Sequence, residues 1–427
     1  MLVVVGIVIF FFGLLFSIAW HELGHLATAK LFGVKVTEYM VGFGRTIWSR
    51  KKGDTEYGVK LIPFGGYIRM IGMFPPKKDE EYGRSASSSP FRAMIDDARE
   101  MSAEDVTPED SHRQFYQRSP WKRIIVMLAG PVMNLILAVG IFAAILMGHG
   151  INTPTLTVSS VSECVLPATA PDTQKCPPGA KPSPAAAAGF KPGDQIVEFN
   201  GKPFHAWEDL QQEIRTSKGA VPIVVEREGH RETLNANLLQ TERPKLNSSS
   251  EYETVGFLGL SPTSMLVKQD IGGVADTIGE FVGLTAQKII QLPQRVPDLV
   301  SAIFGGERHK DSPVGIVGAS RLGGEVLATD QFGVDERIIL MFNLLAGVNL
   351  SLFVFNMLPL LPLDGGHVAG AAWEWIRRGF AKLVRRPDPG PFDTARLMPL
   401  AYAVSLVFIA FSLLVLVADI VNPVTLN

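Results

Sequence analysis

The sequence predicts a multi-span α-helical membrane protein with four transmembrane helices, a membrane-associated β-hairpin and a small α+β domain outside the membrane. Three observations carry that prediction. Hydrophobic residues make up 47% of the 427 residues, and the mean hydropathy is +0.20, as in membrane rather than soluble chains. Four stretches (3–20, 124–148, 338–363 and 397–418) are apolar enough to cross about 30 Å of hydrocarbon, which takes roughly 20 residues each. Between the second and third, short alternating runs separated by turn residues read as strands.

The balance of charge narrows the function classes. The net charge is -2, so no global basic field argues for nucleic acid. Two cysteines are too few for a disulfide scaffold or a four-cysteine zinc site. Lys and Arg are dense over 30–123 and 377–396 and absent before His21 and after Arg396. The positive-inside rule therefore places 32–123 and 365–396 in the cytoplasm, and 149–337 and both termini outside.

Segment 1–35 holds the first span, whose helix is expected to run on to Leu31. It lacks the basic start and the A-x-A site of a cleaved signal peptide, and is read as retained. It ends in His21-Glu22-Leu23-Gly24-His25, an H-E-x-x-H pattern. On a helix, positions i and i+4 share a face, so both imidazoles can reach one metal ion while Glu22 holds a water as general base. Zinc suits such a site, with neutral imidazole ligands and an open position. The motif alone also arises by chance. A polar pair within a span costs several kcal/mol, however, and that weighs for function.

Segment 36–73 alternates around the turn signal Lys51-Lys52-Gly53-Asp54 and predicts a β-hairpin, either an inert surface feature or an edge strand beside the metal. Segment 74–122 is polar, with a Ser/Ala tract at 85–89, a short helix at 90–101 and acids over 104–110. It reads as a solvated cytoplasmic connector. The second span, 123–148, contains Gly130, Pro131 and Asn134, whose amide must face a neighbouring helix. Residues 152–246 form the outer domain, with strands at 156–161, 195–199, 221–227 and 233–239 and a helix at 206–216. Cys164 and Cys176 lie there, in the compartment that permits a disulfide between them. Segment 247–337 is a helical and Gly-rich linker in which 275–292 has helical spacing. The third span, 338–367, ends in Asn356-Met-Leu-Pro-Leu-Leu-Pro-Leu-Asp364-Gly-Gly-His367, where Pro359, Pro362 and Gly365 break the helix. A cytoplasmic loop, 368–396, precedes the fourth span, 397–419.

Two histidines leave zinc short of a ligand. Thr28 and Leu31 stand where a longer zincin motif would carry its next residues. Asp364 is the better candidate, because topology puts it on the same side as His25. A helix-end acid in the headgroup layer, or His367 as ligand instead, are the alternatives.

With these residues together the chain resembles the site-2 proteases, intramembrane zinc metalloproteases, and in particular the bacterial regulator of sigma-E protease-like branch that cleaves anti-sigma factors. The matching features are His21–His25 with Glu22, Phe64-Gly65-Gly66-Tyr67, Gly130-Pro131…Asn134, the PDZ-like Ala188-Gly…Gly193-Asp194, and Asn356…Pro359…Leu363-Asp364-Gly365. One departure is that Pro362 follows Pro359 by three residues rather than two. A single PDZ domain is similar to actinobacterial members. The resemblance implies Zn2+ on His21, His25 and Asp364, with Glu22 as base. It implies Asn356 orienting the substrate backbone, and Phe64, Gly65, Gly66 and Tyr67 clamping it as an added strand. Implied substrates are single-span membrane proteins, anti-sigma factor-like and already trimmed outside, or signal-peptide remnants, in regulated intramembrane proteolysis. The PDZ domain would receive a peptide or an upstream protease, and the chain would sit in the bacterial cell membrane among its lipids, with no nucleic acid partner. A zinc or proton-coupled transporter would need a polar path across the bilayer, which the nearly acid-free spans do not offer. An inactive scaffold would have no need of Glu22.

Overall fold

The computed structural model describes residues 1–76, 90–167, 176–246, 252–308 and 312–425. The elements run α1 (Leu2–Leu31), β1 (Val36–Lys52), β2 (Thr55–Met70), α2 (Pro90–Ala103), α3 (Pro120–Ala143), β3 (Ile151–Val161), α4 (Pro184–Ala188), β4 (Gln195–Phe199), β5 (Lys202–Pro203), α5 (Trp207–Thr216), β6 (Gly219–Arg227), β7 (His230–Pro244), β8 (Tyr252–Phe257), β9 (Leu260–Val267), α6 (Ile271–Ile303), α7 (Ile316–Ala328), α8 (Val334–Asn356), α9 (Asp364–Leu383) and α10 (Met398–Val421). Among the described residues four helices are long and apolar enough to cross a membrane: Leu2–Leu31, Pro120–His149, Val334–Asn356 and Thr394–Val421. Contacts divide the chain into two compact units, one holding all four of these helices apart from the last turn of Pro120–His149, the other spanning Ile145–Ile271.

In the first unit α1 is the hub. Lipid offers helices no hydrophobic drive to associate, so small residues and buried hydrogen bonds do the fastening. Gly24 lies against α3, where a methyl group would meet the Ala129 carbonyl oxygen at 2.4 Å, and Trp20 Nε1 donates to Met133 O at 2.8 Å. At Gly6 a methyl group would meet Gly324 Cα of α7 at 2.8 Å. The fully buried Asn349 of α8 donates to Ser17 Oγ at 2.8 Å. Asp419, near the end of α10, accepts from Gly315 N and Gly318 N at the start of α7 at 2.9 and 3.0 Å. Its other oxygen pairs with buried Arg308 at 2.7 Å.

The hairpin is more than two straight strands. Residues 38–41 have partners on both sides, 56–59 and 66–69, so each strand is creased. The creases fall where Gly42, Gly44 and Gly65 take φ of +94°, +83° and +100°, which glycine alone adopts freely. The acidic stretch after α2 stays largely solvated but is pinned to the hairpin: Lys35 pairs with Asp110 at 2.6 Å, Arg69 with Asp105 at 2.8 Å, and Arg113 with Asp54 at 2.8 Å. Opposite charge joins these segments, and just beyond them buried Phe115 packs with Val36 and Met70 of the hairpin. The Ser/Ala tract at 85–89 lies outside the described residues.

Three expectations are corrected. The third span does not run to Leu363: its helix stops at Asn356, and Asp364 opens a new helix, α9, that runs on to Leu383 in the expected loop 368–396. The Gly-rich stretch ahead of that span is helix α7 rather than linker, with Gly323 and Gly324 packed on α1 and Gly318 on Asp419 of α10. The outer domain does not end at 246, because β8 and β9 close its sheet.

That second unit is a sheet ordered β8-β7-β6-β4-β3-β9, with β5 on β4. Its core is Val158, Phe199, Leu210, Ile223 and Val225, with Trp207 and Ile214 of α5 packed over them, and Cys164 is bonded to Cys176. The buried Asp194 carboxylate accepts two bonds from Arg227, at 2.7 and 2.8 Å, and one from Lys191 N at 2.8 Å. Burial pushes this carboxyl up, but the Arg227 guanidinium and the Lys191 amide outweigh it and hold it below the usual value. Its stabilising contribution is therefore complete above the unfolded value of about 3.9, and is lost as pH falls through the lower folded value.

Asp194→Asn is expected to cost this unit about 2 kcal/mol, since it removes the buried carboxylate from Arg227 and leaves only the exposed Glu232 as its charged partner. Thermal unfolding of the whole chain, with and without the substitution, measures it. The wild type should lose its advantage over the variant below pH 4.

Candidate metal centre

His21 and His25 stand on successive turns of α1, with Nε2 atoms 3.2 Å apart. The loop 357–363 brings Asp364 to them. Gly365 and Gly366 let that loop fold back on the start of α9: a methyl group on either would meet Leu358 O at 2.2 Å or Leu361 N at 2.6 Å. Asp364 Oδ2 then lies 3.2 Å from His21 Nε2 and 3.3 Å from His25 Nε2. The three donors form a nearly equilateral triangle. A tetrahedral ion with bonds of about 2.0–2.1 Å sets its ligands roughly 3.3 Å apart. The donor set therefore fits zinc, with a fourth position opposite the triangle.

The outer contacts set the histidine tautomers. His25 Nδ1 lies 2.7 Å from Val126 O. A carbonyl only accepts, so Nδ1 carries the proton and Nε2 keeps its lone pair for a metal. Asn134 stands 3.3 Å from His21 Nδ1 through its amide nitrogen, while its buried Oδ1 has no partner. Turning the amide over lets Oδ1 accept from Nδ1–H, which satisfies the oxygen and frees Nε2. Gly130 lies flat against both rings: a methyl group there would be 2.1 Å from His25 Nε2 and 2.7 Å from His21 Nε2. Behind the centre, buried Arg123 of α3 pairs with buried Glu374 of α9, whose carboxylate also accepts from Phe392 N at 2.8 Å. That pair ties the helix carrying Asp364 to the helix that orients the histidines.

Glu22 points toward the hairpin, where Gly66 of β2 crosses α1. A methyl group at Gly66 would sit 3.1 Å from Glu22 Cγ. Tyr39 of β1 donates to Ala19 O at 2.7 Å. Its hydroxyl is pushed up to about 12 by burial, then by the Glu22 carboxylate and Tyr57, so it remains a donor. Of the other residues singled out, Phe64 lies in β2 and Gly65 packs under the Phe43 ring. Tyr67 donates to Glu38 at 2.5 Å rather than facing the donors. Asn356 ends α8 with its amide on Leu352 O at 3.1 Å. His367 stands outside the triangle. The sequence singled out Gly130 and Asn134, as a small residue permitting close helix contact and a polar amide in an apolar span, but not their places around the rings, and Val126 left no signal.

The family model for peptidase family M50 matches residues 9–385. The chain is 33% identical over 438 residues to zinc metalloprotease Rip1 of Mycobacterium tuberculosis, covering all of both chains. It is 32% identical to the Rip1 of Mycolicibacterium smegmatis, over 99% of this chain and 98% of that one. It is 28% identical to metalloprotease MmpA of Caulobacter vibrioides, over 88% of each.

Gly130→Ala is expected to abolish zinc binding, whereas Gly140→Ala, one helical stretch further along α3 in open space, leaves it intact. Metal content of the two purified variants checks this, since Ala is the better helix former at both positions.

Proposed function

The chain belongs to peptidase family M50 and is a zinc metalloprotease, and from that premise we propose that it cuts the transmembrane segments of single-span proteins within the membrane. The observation that carries this reading is the triangle of His21, His25 and Asp364, built on a membrane-crossing helix beside a strand edge. Zinc bound there supplies the Lewis acidity that polarises a peptide carbonyl and readies a water near neutral pH. Val126 O and Asn134 hold the imidazoles in the ligating tautomer. Glu22 takes the proton of the attacking water and passes it to the leaving amine. Arg123 and Glu374 keep Asp364 in place.

A helical substrate hides its amides in its own hydrogen bonds, so it must be drawn out before it is cut. The segment 66–69 pairs with 38–41 on one edge only, and β1 and β2 form a two-stranded sheet. Its other edge offers replacement hydrogen bonds to an extended substrate, close to Glu22. Asn356 orients the substrate backbone, and Phe64, Gly65, Gly66 and Tyr67 act as the clamp. The unit at 145–271 acts as a PDZ domain outside the membrane, admitting substrates already shortened by another protease. Anti-sigma factor-like proteins and signal-peptide remnants fit that description. The chain sits in the bacterial cell membrane with both termini outside.

Glu22→Gln is expected to keep its zinc and lose at least 100-fold in cleavage of a single-span substrate stripped of its outer domain. Asp364→Ala should lose the zinc as well. Unchanged cleavage by Glu22→Gln would remove Glu22 from the chemistry, and full zinc in Asp364→Ala would break the ligand set.

A further inference from the structure

Helix α9 presents a face that the catalytic reading does not use. Gly366, Gly370, Glu374 and Ala381 are buried on its inner side. On the outside, Trp373, Ile376, Phe380 and Leu383 recur at helical spacing and are 55%, 63%, 62% and 80% exposed. A soluble protein rarely leaves such a stripe open. Beside it runs a basic flank. Arg377 and Arg378 are engaged, on Gly390 O and on Glu374 with Asp388. Lys382, Arg385 and Arg386 project from the end of the helix and are exposed. Trp375, 60% exposed, lies toward that flank. The helix is too charged to cross a bilayer, yet both its ends are tied to spans, by the seven residues after α8 and by the chain leading into α10.

An apolar stripe with tryptophans, a flank of Lys and Arg, and attachment to spans at both ends are the marks of a helix lying in the plane of a bilayer surface. We propose that α9 is an interfacial helix that binds anionic phospholipid, its stripe sunk among the acyl chains and Lys382, Arg385 and Arg386 on the headgroup phosphates. Charge complementarity decides for an anionic rather than a neutral leaflet: each basic residue near such a surface favours it by about 5-fold, and three by roughly 100-fold at most. Because Asp364 is the first residue of the same helix, the leaflet holds the element that carries one corner of the donor triangle.

The test uses the full chain in vesicles of phosphatidylcholine and phosphatidylglycerol at equal mole fraction, with bromine on the acyl chains of one lipid or the other. The fluorescence of Trp373 and Trp375 is isolated by difference from a chain carrying Trp373→Phe and Trp375→Phe. Brominated phosphatidylglycerol should quench them several-fold more than brominated phosphatidylcholine, and high salt should erase the difference. A chain with Lys382→Gln, Arg385→Gln and Arg386→Gln should keep its zinc and show equal quenching by both lipids. Equal quenching in the wild type would overturn the anionic preference. No quenching by either would overturn the membrane contact, and a preference surviving in the triple variant would overturn the assignment to these residues.

Discussion

The contact on which the rest of the molecule depends is the close approach of α3 to α1 at Gly130. Two imidazoles shielded within the helix bundle need their outer nitrogens satisfied by neighbouring protein groups. The helix beside them must come near enough to offer a carbonyl at Val126 and an amide at Asn134. Only a residue without a side chain permits that distance at the level of the rings. Gly24 on the facing helix repeats the device at the same level, against the Ala129 carbonyl. The metal ligands, their tautomers and the crossing of the first two spans are thus one packing problem rather than three.

The remaining elements solve the problem of the third corner of the donor triangle. Asp364 arrives from more than 330 residues along the chain, and nothing local holds it beside His21 and His25. The structure fixes it at three points. Asn349 fastens α8 to α1 one turn before His21, the loop 357–363 folds down over Gly365 and Gly366, and the Arg123–Glu374 pair holds α9 against α3. Each fastening is polar or depends on a small residue, as expected where apolar surface brings no gain from meeting apolar surface.

How far the sequence could be read follows from the range of each signal. H-E-x-x-H is a local pattern on a periodic element, so its geometry was legible from five residues. The prolines and glycines around Asp364 announced a break, but not that a helix would start again at the aspartate itself. Strands with clean alternation, such as β4 and β6, were legible, whereas β8 and β9 were not, because they lie beyond a segment whose composition reads as linker. The double pairing of 38–41 could not be seen at all: creases depend on which partner each half-strand finds, and no residue type announces that. Gly130 could be picked out as a small residue beside Pro131 in a span, but that its contact is with the two imidazoles depends on the neighbour across the helix interface.

The creased hairpin sets a limit on how finely such an enzyme can choose its bond. A strand ladder repeats every two residues, and a slip of two restores every hydrogen bond and returns each side chain to its own face. On the proposed reading, an extended guest on the edge at 66–69 would be held in phase, but not at a single address. Backbone pairing alone selects odd or even positions along the guest, so choosing among them falls to side chains or to the point at which its helix stops unwinding.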